Sequence, residues 1–180
     1  MEDELGGVHY EDPFVAPVEL REPTRRLRGR LTAGVTVWTA GEPEEATGLT
    51  ISSVIVAEGR PSIVFGLIND TASLWDAIHQ TGTFVVHVLG DEHRLLAERF
   101  AGRWPSPGGL FSGLEVDRSE WGPVLSGISN RAYCRYKEAT EAGYQQLLRG
   151  EIERIELAEL SEPLVYYRGR YRHLRSPGPA

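Results

Sequence analysis

Three stretches of this 180-residue chain group side chains suited to chemistry. The last is Glu162-Pro163-Leu164-Val165-Tyr166-Tyr167-Arg168-Gly169-Arg170-Tyr171-Arg172: an apolar strand signal, an Arg-Gly-Arg-Tyr turn, then a brief Pro-containing tail. Arg brings a planar fork of donors that matches phosphate. Tyr brings a flat face with a polar tip. Together they suit a ligand that is part aromatic ring and part phosphate; the plainer reading is a last strand sealing a barrel. The second stretch, Thr50-Ile51-Ser52-Ser53, sets three hydroxyls in a strand that is otherwise apolar, and buried hydroxyls cost free energy unless they find partners. The third, Asn69-Asp70-Thr71-Ala72-Ser73, sits at the mouth of a helix, where free amides and the helix dipole favour an anion. Ordinary N-capping is the alternative there.

Other chemistries find no support. No Gly-rich phosphate loop followed by Lys, no GxGxxG dinucleotide fingerprint and no GxSxG elbow occurs. The five histidines, His9, His79, His87, His93 and His173, show no i, i+4 pairing and no Cys at metal-ligand spacing. His87, inside an apolar run, reads as a hydrogen-bonded core residue, and His79 as a solvated helix residue. Cys134 is the lone cysteine; it excludes an internal disulfide and reads as a small core residue.

The elements that position these stretches follow from pattern. Residues 1–23 are acidic and Pro-rich and read as an N-terminal arm, disordered or draped over a partner subunit. Thr24 caps a short basic helix ending near Gly29. Strands are predicted at Val35–Thr39, across Leu49–Val56, and at Ile63–Ile68. Asp70 or Thr71 caps a helix that runs through Gln80 and stops at Gly82. Phe84–Leu89 reads as a strand buried on both faces. Asp91-Glu92 opens another helix, with Leu95, Leu96 and Phe100 as its apolar stripe. From Tyr144 to Leu160 the pattern leans helical, through Leu148, Ile152, Ile155 and Leu160.

The composition is that of a soluble globular domain, 41% hydrophobic and 25% charged. A net charge of −7 argues against nucleic acid as a partner. No apolar run approaches a membrane span, and the acidic start lacks the features of a secretory signal. A cytoplasmic location is the expectation.

Taken in order, several segments resemble the flavin reductase family with the FMN-binding split-barrel fold. They are Arg28–Val37, Gly48-Leu49-Thr50-Ile51-Ser52-Ser53, Asn69 with Ala77-Ile78, Gly82–Leu89, Leu96–Gly102 and Leu164–Tyr171. The resemblance covers roughly residues 24–174 and leaves 175–180 as a tail. It implies a mainly β, homodimeric split barrel with short helices, in which residues 131–157 form two strands rather than a helix. It further implies an NAD(P)H-dependent flavin reductase that binds FMN or FAD, takes hydride from NADH or NADPH, and supplies reduced flavin to a partner monooxygenase. The chemistry belongs to the cofactors, so no catalytic residue of the chain is implied. Thr50, Ile51, Ser52 and Ser53 are the implied flavin contacts. Asn69 and Thr71 lie near ribityl or phosphate, and Arg170 and Tyr171 near the cofactor edge.

Three positions depart from the family pattern. Ala72 and Leu74 replace two hydroxyls of the asparagine segment, where Asp70 adds a negative charge. Ala57-Glu58-Gly59-Arg60-Pro61 lacks the usual paired prolines. Gly143-Tyr144-Gln145 stands where many members carry Gly-Asp-His. The alternative function is a diverged split-barrel protein without reductase activity that binds or converts another small molecule in a biosynthetic pathway.

Overall fold

The computed structural model describes residues 23–172 and Leu174. Of the arm expected over residues 1–23, residues 1–22 lie outside the described residues, as does the tail from 175, and Pro23 is the first residue of a helix. The fold is an antiparallel β structure with three short helices. A seven-stranded sheet runs in the order β3 (Thr47–Ile51), β2 (Thr36–Ala40), β6 (Thr83–Val88), β9 (Arg131–Ala142), β10 (Gln145–Glu156), β5 (Ser62–Ile68), β4 (Val54–Ala57). β3 and β4 are consecutive in the chain, yet they occupy opposite edges of that order. Two residues, Ser52 and Ser53, therefore bridge the edges, which forces the sheet to curl into a barrel split at this seam. Leu67 N–H donates to Ser53 O across it (3.2 Å). The single strand expected over Leu49–Val56 is thus two strands.

β9 and β10 form a long hairpin that turns at Gly143-Tyr144. They are the two strands that the family resemblance implies over 131–157, in place of the helix toward which the pattern of Tyr144–Leu160 leans. Register shifts at Arg149/Gly150 and Ile152/Arg154 break the two-residue alternation, so the apolar positions mimic a helical spacing.

Helix α2 (Ser73–Thr81) closes one end of the barrel and buries Leu74, Ala77 and Ile78. Its N-cap is Ala72, without a side-chain cap, rather than Asp70 or Thr71. At its other end Gly82 N–H donates to Ile78 O (2.8 Å), as expected of a terminating glycine. Asp91-Glu92 belongs to a 3₁₀ turn, Asp91–His93, and the helix α3 proper is Arg94–Phe100. Near the start, α1 (Pro23–Arg28) takes Thr24 inside the helix instead of before it. No helix among the described residues is long and apolar enough to cross a membrane.

Among the described residues three apolar clusters hold these parts, the smallest joining Val85 and Tyr133 of the barrel to Val124 and Trp121. Inside the barrel Trp38 stacks on Phe84 (4.8 Å between centroids), surrounded by Val64, Ile68, Ile78 and Leu148. The second core lies between barrel, α3 and a three-stranded sheet of β1 (Ala33–Gly34), β11 (Val165–Tyr167) and β12 (Arg170–Arg172). It contains Val35, Leu89, Ala97, Phe100, Leu164 and Tyr171. A hairpin of β7 (Val116–Ser119) and β8 (Gly122–Leu125) is pinned to the barrel by polar bonds. Thr39 Oγ1 donates to Pro123 O (2.5 Å), and Leu125 N–H donates to His87 Nε2 (3.1 Å).

Candidate functional site

A cleft of about 290 Å³ opens where β3, α2, α3 and the loop after α3 meet. Its walls are Gly48 and Leu49 from β3, Thr71 and Ser73 from the start of α2, Phe100 from the end of α3, and Leu110. Each element arrives for a local reason. Thr50 Oγ1 donates to Ala97 O (2.7 Å), which ties α3 to β3. Phe100 then packs closely against Gly48: a Cβ on that glycine would stand 2.6 Å from the Phe100 ring and 2.9 Å from Trp38 O. Only glycine lets strand and ring come this close.

The α2 end of the cleft is polar. Asn69 Oδ1 accepts from both Thr71 N–H (3.2 Å) and Thr71 Oγ1 (3.1 Å), folding Asn69–Thr71 into a tight turn. Ala72 N–H donates to Asn69 O (3.0 Å), and the helix starts at the next residue. The first-turn amides of Ser73 and Leu74 have no intrahelical acceptor, and with the Ser73 hydroxyl they give this end donors for an anion, the Thr71 hydroxyl proton being spent on Asn69. The family hydroxyl replaced by Leu74 is a core position here, 1% exposed. Asp70 is exposed beside the turn.

The eight residues expected from the sequence divide into three groups. Thr71 lines the cleft, and Asn69 shapes the turn that carries it. Thr50, Ile51, Ser52 and Ser53 form the end of β3 and the barrel seam. There the Thr50 donor is spent on α3, Ile51 is 3% exposed with its carbonyl accepting from Thr36 Oγ1 (2.7 Å), and Ser53 Oγ donates to Leu67 O (3.3 Å). The half-buried Thr50 and Ser53 hydroxyls thus find main-chain partners. Arg170 and Tyr171 do not line the cleft; they sit on β12, on opposite faces of the strand. Tyr171 is buried in the second core against Tyr166 (5.5 Å), with the Arg94 guanidinium 5.9 Å from its ring. Burial pushes its phenol up to about 12. Arg170 is exposed and makes no hydrogen bond or ion pair among the described residues.

Sequence reasoning missed Gly48, Phe100 and Leu110. A glycine inside a strand was the available signal for the first; the others become cleft walls only through tertiary packing. No Asp, Glu, His, Lys or Arg lines the cleft, so its walls can bind and orient a ligand but offer no side chain for proton transfer. An apolar face with an aromatic ring beside a donor-rich helix start matches a ligand that is flat at one end and phosphorylated at the other. FMN has that shape, and the residues present fit it.

Known proteins give the same answer. The chain is 28% identical over 169 residues to the FMN reductase (NADH) RutF of Variovorax paradoxus, covering 94% of each. It is 30% identical to the reductase component of the 4-nitrophenol 4-monooxygenase/4-nitrocatechol 2-monooxygenase of Rhodococcus opacus, over 91% of this chain and 88% of that one. Among solved structures, the NADH:FAD oxidoreductase SgcE6 of Streptomyces globisporus C-1027 superposes with a TM-score of 0.76 at 26% identity, covering 91% of this chain and all of its own. The split barrel, the cleft and these likenesses converge with a match of residues 28–175 to the flavin reductase like domain, and the chain belongs to that family.

Proposed function

We propose that this protein is an NAD(P)H-dependent flavin reductase that supplies reduced flavin to a partner monooxygenase. The observation that carries it is the cleft, in which an apolar floor of Leu49 and Phe100 meets the donor-rich start of α2, set in a family whose named relatives reduce FMN with NADH or serve monooxygenases. Bound flavin supplies the redox chemistry, accepting a hydride from the nicotinamide ring. The chain's own part is positional. The Ser73 hydroxyl and the first amides of α2 hold the phosphate end, Phe100 and Leu49 exclude water from the ring, and Thr50 fixes α3 so that Phe100 stays in place. Ser52 and Ser53 offer main-chain groups at the seam, and Arg170, outside the cleft, an unpaired guanidinium for the cofactor edge.

A homodimer belongs to this reading. The edge strand β4 leaves Ile55 66% and Val56 58% exposed, and an exposed apolar edge is normally covered. Light scattering should give about twice the 20.0 kDa chain mass, and a clean monomer at micromolar concentration would refute it.

Incubation with each pairing of NADH or NADPH with FMN or FAD tests the activity. Nicotinamide oxidation well above the protein-free rate is expected with at least one pairing. No acceleration with any of the four would reject the proposal in favour of a split barrel that handles another small molecule.

A further inference from the structure

Arg99, the penultimate residue of α3, does not face the cleft. Its Nη2 spends one N–H on Gly109 O (2.9 Å) and the other on Ser112 O (2.7 Å). Leu110, the loop residue in the cleft wall, stands between those two anchor points. Among the described residues, these are the hydrogen bonds that tie residues 104–114 to the rest of the fold. The other bonds of the loop are internal to it: Gly109 N–H to Ser106 O (2.9 Å), Ser112 N–H to Gly109 O (3.2 Å), Leu114 N–H to Phe111 O (3.0 Å) and Ser106 Oγ to Trp104 O (3.4 Å). Its remaining attachment is apolar, chiefly Phe111 edge-on to Phe100 (5.3 Å). Gly108 and Gly109 both have positive φ, 86° and 99°, so the backbone beside Leu110 has freedom that apolar contact alone does not remove. Arg99 Nε is buried without a hydrogen-bond partner, so the two carbonyl bonds are what hold the side chain.

We propose that Arg99 is a positioning residue for the flavin cleft: by gripping the main chain on both sides of Leu110, it fixes the wall against which the flavin packs. The proposal rests on the flavin reading above and assigns a task to a residue that does not line the cleft. It places control of flavin affinity on a loop whose remaining hold on α3 is apolar, chiefly the Phe111–Phe100 contact, and leaves the rate of the bound cofactors untouched.

Arg99→Met keeps the aliphatic stem and removes the donors. FMN binding, read by flavin fluorescence, should weaken about tenfold, the loss of roughly one charge-assisted hydrogen bond. KM for flavin should rise in step while kcat at saturating flavin stays within about twofold. Leu110→Ala should weaken FMN similarly, and the double variant should be no weaker than the worse single, because both act on one wall. Limited proteolysis without any ligand should cut Arg99→Met faster within residues 104–114. An unchanged FMN dissociation constant, additive effects in the double variant, or unaltered loop cleavage would each overturn the role of Arg99. Should Arg99→Met not fold, Arg99→Lys, which keeps the charge but not the fork, should give an intermediate affinity, and wild-type affinity there would overturn the role equally. A wild type that binds no flavin would sink the functional reading, and the loop cleavage would still decide whether Arg99 holds the loop.

Discussion

His87 is the side chain most exposed to a change of pH, although it never meets solvent. It is 0% exposed between β2 and β8. Leu125 N–H donates to its Nε2 (3.1 Å), so that nitrogen carries no proton, and Nδ1–H must be the group donating to Val37 O (3.1 Å). The Leu125 bond requires the neutral ring, because a protonated Nε2 has no lone pair to accept it. Burial lowers its pKa from 6.5 to about 4, against the Val37 bond that raises it, and the Arg131 charge lowers it further. A folded pKa below the unfolded one means that the unfolded chain takes up the proton first. The stabilisation is therefore complete above pH 6.5 and drains away as pH falls toward 4. That interval, at about 1.4 kcal/mol per pH unit, amounts to a loss of about 3 kcal/mol by pH 4. His87→Gln can keep a donor and an acceptor but does not titrate. Urea unfolding of both proteins from pH 7 to pH 4 should show wild type losing about 3 kcal/mol more than the variant, with the divergence beginning near pH 6.5. Parallel curves would refute the buried neutral ring, since the carboxylates that protonate in this range are common to both proteins.

Two further perturbations separate packing from binding. Gly48→Ala drives a Cβ into the Phe100 ring and the Trp38 carbonyl, and should cost about 1–3 kcal/mol in thermal unfolding as well as flavin affinity. Arg170→Ala should leave stability within about 0.5 kcal/mol, because the side chain is exposed and unpaired among the described residues, while weakening FMN about tenfold or more. Equal FMN dissociation constants for Arg170→Ala and wild type would remove Arg170 from the site.

The strands at Val35–Thr39, Ile63–Ile68 and Phe84–Leu89 are legible because each is a β-branched or apolar run buried in the barrel, as β2, β5 and β6 prove to be. The β9–β10 hairpin is not, since its two bulges move Leu148, Ile152 and Ile155 off the two-residue period. The break at Ser52-Ser53 carries no Gly or Pro to announce it. Its cause is closure of the sheet, a property of the whole barrel. The site follows the same division. Asn69 and Thr71 can be found because their turn is local. Thr50 stands out as a hydroxyl in an apolar strand, yet its partner, Ala97 O, is 47 residues away, and no local pattern distinguishes that bond from a ligand contact. Phe100 and Leu110 read as ordinary apolar positions until α3 and its loop pack against β3. His79, expected to be solvated, is exposed but held, with Nδ1 2.8 Å from Trp75 O and Nε2 3.1 Å from Tyr136 Oη.

The central claim is that this chain brings a nicotinamide and a flavin together and lets hydride pass. Anaerobic mixing of the protein with FMN and NADH measures that event directly, through the bleaching of oxidised flavin's visible absorbance. The account predicts bleaching many times faster than in the protein-free mixture, and slower at sub-saturating FMN when Gly48→Ala has distorted the cleft. Bleaching at the protein-free rate, with FMN or with FAD and with NADPH in place of NADH, would contradict it.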